Sequence, residues 1–192
     1  MDKGRVEAFS DGVIAIIITI MVLELKVPHG ADLADLKPVL PVFFGYVLSF
    51  IYVGIYWNNH HHMMQSVETV NGSILWANLH LLFWLSMLPF ATSWMGENPL
   101  ATAPVALFGA VLFMAAISYT ILMLHLIRHE GPDSALAKAV GRDFKGKASL
   151  WFYVAGIAAA FFVPAVSLAL YVAVAGIWFI PDRRVERQLG VR

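Results

Sequence analysis

Six apolar runs, each near the length of a membrane span, succeed one another along the chain. They cover roughly residues 7–25, 39–62, 73–94, 102–127, 148–163 and 165–181, parted by proline, glycine and charged residues. About 20 apolar residues in a helix rise some 30 Å, the thickness of a hydrocarbon core. The pattern therefore predicts an all-α integral membrane protein with six transmembrane helices. The last two runs form an almost continuous apolar stretch over 148–181. As one helix it would rise about 50 Å, so two short spans hinged near Pro164 are expected instead. The hydrophilic stretch at 128–147 is too short to fold alone, which leaves a single transmembrane domain over residues 1–192.

Composition agrees with this reading. The chain is 59% hydrophobic and 14% charged, with a mean hydropathy of +0.71, against roughly 45–50% and about 25% in soluble domains. There is no cysteine, which excludes disulfides, thiolate metal sites, iron–sulfur clusters and thiol nucleophiles. The first run contains Asp11, is longer than a signal-peptide core and ends in Glu24-Leu25-Lys26, so it reads as a span. No nucleic-acid partner is expected.

Charge placement sets the orientation. Lys3 and Arg5 precede the first run, and Arg128, Lys138, Arg142, Lys145 and Lys147 lie between the fourth and fifth. Arg183, Arg184, Arg187 and Arg192 follow the sixth, leaving only Lys26 and Lys37 on the opposite side. This 11-to-2 split of the 13 basic residues predicts cytoplasmic termini in the inner (plasma) membrane under the positive-inside rule.

That topology gathers the polar residues. The first span carries Arg5, Ser10 and Asp11; the second returns with Trp57, Asn58, Asn59, His60, His61 and His62; the third leaves with Asn71, Trp76, Asn78 and His80. Three helices thus hold hydrogen-bonding side chains at one depth, where an unpaired polar group costs several kcal/mol. An aspartate at mid-span costs roughly 2.5–3.5 kcal/mol, so a span that keeps Asp11 is more than an anchor. Arg5 and Asp11 stand about 9 Å apart along a helix, too far for each other, and their partners are expected on spans two and three.

At about 100° per residue, Gly12, Ile16, Thr19, Ile20 and Leu23 share roughly 100° of arc on the first helix, with Asp11 well off that face. A stripe of large aliphatics fits helix packing or lipid contact. It also fits the wall of a pore whose narrow rings are Ile and Leu, with Thr19 supplying the only polar atoms; hydrophobic constrictions gate by dewetting. No carbonyl-lined filter loop of the TVGYG kind occurs: Phe44-Gly45-Tyr46 lacks the preceding Thr-Val and reads as part of the second helix.

The run Arg5-Val6-Glu7-Ala8-Phe9-Ser10-Asp11-Gly12 before the Ile-rich helix resembles the Arg-x-x-x-Phe-Ser-Asp signature of the lysosomal potassium channel family of transmembrane protein 175. Trp57-Asn58-Asn59-His60-His61, Trp76-Ala77-Asn78 and Leu88-Pro89-Phe90 resemble that family's second and third helices. The likeness covers essentially the whole chain, as in single-repeat bacterial members. It implies a homotetrameric, potassium-permeable cation channel, not an enzyme, with the first helix lining a central pore. Counted from Asp11, it puts the main constriction at Ile16, further rings at Ile20 and Leu23, and a polar layer at Thr19. Arg5, Phe9, Ser10, Asp11, Trp57, Asn59, His60, Trp76 and Asn78 become a structural polar network. K⁺ is implied as the permeant ion, with no cofactor and no resident metal. One departure is visible: Ile20 stands where Leu is equally expected.

Other readings use the same residues. Asp11 and His60 could serve a proton-coupled transporter or proton channel, although the first three spans do not repeat in the last three as inverted-repeat transporters do. His60, His61 and His62 suggest a membrane-embedded metalloprotein, but consecutive helical residues point about 100° apart and cannot all reach one ion. His80 reads as a hydrogen-bonded core histidine, Trp94, Trp151 and Trp178 as interface anchors, and Glu97 and Asp182 as solvated span ends. The topology is checked by reporter fusion after residue 192: a cytoplasmic fluorescent reporter is expected to be active there. Periplasmic alkaline-phosphatase activity from the same junction would overturn the even number of spans.

Overall fold

The computed structural model describes residues 3–141 and 143–179. Arg142, Asp182, the four arginines of the tail and the last two positions of the sixth predicted span lie outside the described residues. The regular elements are α1 (Gly4–Leu23), a 3-10 turn (Leu33–Val39), α2 (Leu40–Gln65), α3 (Gly72–Ser86), α4 (Leu88–Glu97), α5 (Thr102–Glu130), α6 (Ala135–Val140), α7 (Phe144–Ala160) and α8 (Pro164–Phe179).

Local chemistry sets the boundaries. Asn71 caps α3, its side chain accepting from the Ile74 amide at 3.1 Å, and Ser134 caps α6 by accepting from Ala137 N at 3.2 Å. Gly131, with φ of 98°, ends α5. Asp143 opens α7 from a left-handed backbone (φ 40°, ψ 53°) and accepts from Gly146 N at 3.1 Å. Residues 161–163 join α7 to α8, which starts at Pro164, where a missing amide hydrogen leaves no bond unmade. The hinge expected near that proline is therefore present.

The third apolar run differs from expectation. It is two helices, α3 and α4, parted at Met87. Pro89 has no amide hydrogen to offer the preceding turn, and the Met87 amide bonds the Trp84 carbonyl at 3.2 Å in a tightened last turn. Among the described residues, four segments are long and apolar enough to cross a membrane: Gly4–Leu23, Leu33–Gln65, Gly72–Glu97 and Thr102–Glu130. The two predicted last spans correspond to shorter helices, α7 and α8, of 17 and 16 residues.

In tertiary arrangement, α1 rests on α2, α3 and α4, while α5 runs through the middle against α3, α4, α7 and α8. α2 also meets α4 and α8, which closes the bundle. Lipid is as apolar as leucine, so close packing and interhelical hydrogen bonds must hold such helices together. Both occur here. Ser49 Oγ and Thr92 Oγ1 share a buried hydrogen bond of 2.6 Å between α2 and α4, and the Tyr52 hydroxyl donates to the Tyr171 carbonyl of α8 at 2.6 Å. Tyr171 is fully buried, its ring seated against Gly109 of α5 and Gly156 of α7, where any β-carbon would collide with it.

This seat yields a paired test. Gly156→Ala forces a methyl group into the Tyr171 ring and is expected to lower unfolding stability by roughly 1–3 kcal/mol. Gly176→Ala, where a β-carbon meets nothing within 4 Å, should be neutral or slightly stabilising. Thermal unfolding of the detergent-solubilised protein compares the two, and equal effects would refute close packing at Tyr171.

Candidate functional site

α1 has two faces. Val6, Ser10, Ile14, Ile17 and Met21 are buried against the bundle. Gly12, Ile16, Thr19, Ile20 and Leu23 are exposed, Ile16 at 59% and Leu23 at 78%, while Ile17 next to Ile16 is at 3%. The stripe predicted from spacing is therefore turned away from the protomer's own core. The Thr19 hydroxyl donates to the Ala15 carbonyl of its own helix, so what it presents outward is an acceptor oxygen. Arg5 and Phe9 are also exposed, and at about 100° per residue each lies roughly 20° from Ile16.

Behind the buried face runs a chain of hydrogen bonds. His60 Nε2 meets Asn78 Oδ1 at 2.8 Å, Asn78 Nδ2 donates to Ser10 Oγ at 2.9 Å, and Ser10 Oγ donates to the Val6 carbonyl at 2.8 Å. An amide oxygen only accepts, so His60 carries its proton on Nε2. Ser10, His60 and Asn78 are all buried, and together they join α1, α2 and α3. Asp11 is engaged separately and at the surface: its Oδ1 accepts from Trp57 Nε1 at 2.9 Å. The Trp57 ring stacks on His61, at 5.9 Å between centroids and 17° between planes, and His61 Nε2 meets Gln65 Nε2 at 2.9 Å.

Other residues expected in the network stand elsewhere in the protomer. The Asn59 amide donates back to Ile55 on its own helix at 2.8 Å. Trp76 is 75% exposed and Phe9 55%. Arg5, expected to pair with the second and third spans, is exposed and makes no ion pair with them among the described residues. The three consecutive histidines are used separately, His62 having a buried Nδ1 without a hydrogen-bond partner among the described residues. His80 accepts from Trp84 Nε1 at 3.1 Å on its own helix. Trp178, read as an interface anchor, also donates to Ser149 Oγ at 2.8 Å and ties α8 to α7.

Sequence reasoning missed the ties at the two ends of α1. Before its first turn, Lys3 Nζ donates to the Met64 carbonyl at 3.0 Å, at the end of α2 where carbonyls lack helical partners. Beyond its last turn, Glu24 accepts from Ser93 at 3.1 Å and Lys26 pairs with Glu97, both partners on α4. Glu97, expected to be solvated only, is thus also an ion-pair partner. Its hydrogen bond and negative charge raise the pKa of Lys26. The available signal was opposite charge on two segments that the topology puts at the same membrane face.

A helix bundle of membrane-spanning length, with one edge helix pinned at both ends and showing an apolar stripe outward, defines an integral membrane protein. The family model described as endosomal/lysosomal potassium channel TMEM175 matches residues 5–89, the segment that holds α1, the buried chain and the Pro89 break. A potassium channel of Chryseobacterium sp. (strain P1-3) is 60% identical over 189 residues, covering 98% of this chain and 98% of that one. A potassium channel of Streptomyces collinus (strain DSM 40733 / Tue 365) is 34% identical over 135 residues, 66% of each chain. The crystal structure of a lysosomal potassium-selective channel TMEM175 homolog from Chamaesiphon minutus matches with a TM-score of 0.76 at 25% identity, over 92% of this chain and 96% of that one. The chain belongs to the TMEM175 family.

The buried chain predicts an asymmetry between two asparagines. Asn78→Leu leaves His60 Nε2–H and Ser10 Oγ without their partner and is expected to cost roughly 1–3 kcal/mol of stability. Asn59→Leu, which removes only an intrahelical bond on α2, should change stability by about 0.5 kcal/mol or less. Thermal unfolding and detergent-resistant yield measure both, and a larger loss for Asn59 would relocate the support of α1.

Proposed function

We propose that the chain forms a homotetrameric, potassium-permeable channel of the plasma (inner) membrane, with α1 of each subunit lining a central pore. The single domain over residues 1–192 crosses the membrane six times, α7 and α8 serving as two short spans, and both termini are cytoplasmic. One observation carries the reading: on an apolar helix, Ile16 is 59% exposed while Ile17 is 3% exposed, with Ser10 bonded to Asn78 on the buried side. The naming of a 60% identical relative as a potassium channel supports the choice of ion.

In this reading Ile16, Ile20 and Leu23 form successive apolar rings and Thr19 a polar layer between them. A ring of aliphatic side chains resists wetting, so a hydrated ion meets its highest barrier at Ile16. The Thr19 oxygen, its hydrogen already engaged by Ala15, can substitute for part of an ion's hydration. The exposed arc of α1 spans about half its circumference, wider than a lumen requires. Its flank at Asp11, Ala15 and Val22, all exposed, is assigned to neighbouring subunits. Ser10, His60 and Asn78 support the helix and do not touch the ion, with Trp57 bracing Asp11. No resident cofactor or metal enters the mechanism. The proton-relay reading is less favoured, since Asp11 bonds Trp57 and His60 bonds Asn78, with no direct link between them.

Planar-bilayer recording under asymmetric KCl and NaCl tests the proposal. Wild type should pass K⁺ in preference to Na⁺. Ile16→Asn keeps similar bulk but wets the constriction, so conductance should rise and selectivity fall together. Ile17→Asn, one position away on the buried face, should instead reduce folding and yield. A leaky Ile17→Asn beside an unchanged Ile16→Asn would mean that the other face of α1 lines the path.

A further inference from the structure

A cavity of about 50 Å³ opens between α2, α5, α7 and α8, with no wall contributed by α1 among the described residues. It has room for about four waters, or for one organic ion of similar heavy-atom count. Tyr56, Tyr119, Tyr153 and Trp178 supply aromatic walls, and the one charged group in its described lining is the Asp143 carboxylate. Tyr56 and Tyr119 meet edge to face, 6.1 Å apart at their centroids.

The chemistry of the walls indicates the sign of the ligand. The Tyr52 hydroxyl donates to Tyr171 O at 2.6 Å, the Asn59 amide to Ile55 O at 2.8 Å, and Thr120 to Ala116 O at 2.9 Å. Ser149 donates to Lys145 O at 2.8 Å, and Trp178 Nε1 donates to Ser149 Oγ at 2.8 Å. The hydroxyls of Tyr56, Tyr119 and Tyr153 can donate or accept, so the sign of the guest is set by the carboxylate in the lining. Asp143 uses Oδ1 to cap Gly146 N at 3.1 Å, and a ligand would meet its Oδ2, which has no hydrogen-bond partner among the described residues. An anion would face the Asp143 carboxylate. A compact metal cation would lose its water shell for mostly aromatic carbon. An organic ammonium ion, weakly hydrated, gains from both ring faces and the carboxylate.

We propose that this cavity binds a small organic ammonium ion, held by Asp143 and the rings of Tyr56, Tyr119 and Tyr153, at a site separate from the pore helix. Asp143 sits in left-handed backbone at a helix N-cap, a combination that asparagine also adopts readily. Asp143→Asn therefore removes the charge while keeping the local fold.

The test follows thermal unfolding of the full-length, detergent-solubilised protein during titration with tetramethylammonium chloride, NaCl being exchanged one for one to hold ionic strength. Wild type and Ile16→Asn are expected to show the same saturable rise in Tm. Asp143→Asn should need at least about tenfold more tetramethylammonium for the same rise, the loss of one close charge contact. Tyr119→Leu, which removes a ring without touching the cap, should show a comparable weakening and decides the matter where Asp143→Asn folds poorly. Absence of a saturable rise overturns the proposal, as does an unchanged response in both cavity variants. A rise abolished by Ile16→Asn would assign the ion to the pore and also overturn it.

Discussion

The rotation of α1 about its own axis is set by a hydrogen bond from an asparagine amide to a serine hydroxyl. Asn78 offers Ser10 its amide and His60 its oxygen, so turning the helix would break the bond to Ser10 and strand the Asn78 amide, while the Asn78–His60 bond between α3 and α2 would remain. In a low-dielectric interior each stranded group costs on the order of 1–3 kcal/mol, whereas sliding one leucine past another costs little. The apolar residues of α1 cannot fix its phase by themselves, since nearly every position would be content in lipid. The polar chain chooses which isoleucines face outward.

The remaining contacts protect that choice. Lys3 fastens one end of α1 to the end of α2, and Glu24 and Lys26 fasten the other to α4. α4 is itself keyed to α2 by Ser49 and Thr92. α5, α7 and α8 lie further back and are locked around Tyr171, whose ring occupies the space left by two glycines. The bundle thus has a rigid rear and an edge helix held at its ends and at one internal point. An element with apolar surface on one side and directional bonds on the other keeps its orientation without needing a cap of further protein.

Much of this was legible from residue order. The apolar runs located the helices, Pro164 the break between α7 and α8, and the spacing of Gly12, Ile16, Thr19, Ile20 and Leu23 the exposed side of α1. The break at Met87 is not marked in the apolar pattern, which continues through Met87, Leu88 and Phe90, and it comes from the missing amide hydrogen of Pro89. Asn59 and Trp76 are placed in the network by resemblance and by depth, and depth does not say which way a side chain points. α2 and α3 are apolar on almost every side, so their sequences carry no sharp amphipathic phase, and which of several neighbouring polar residues points inward is decided by packing. Trp178 shows a similar ambiguity: an indole at a span end serves equally as an interface anchor or as a donor to a neighbouring helix, and here it also bonds Ser149 on α7. Lys26 and Glu97 lie 71 positions apart, and no local pattern links them.

The helices differ greatly in length from one side of the molecule to the other. α5 has 29 residues and rises about 44 Å, whereas α7 has 17, rises about 26 Å and carries Lys145 and Lys147 in its first turn. In the six-span arrangement proposed above, lipid beside α7 would thin or tilt its chains relative to lipid elsewhere around the protein, at a cost of fractions of a kcal/mol per ångström. α7 and α8 also form walls of the aromatic cavity. With α7 and α8 as spans, acyl-chain length would become a mechanical variable acting on the rear of the bundle, and a change of membrane thickness would load the break at Pro164 before it reached the helix at the opposite edge.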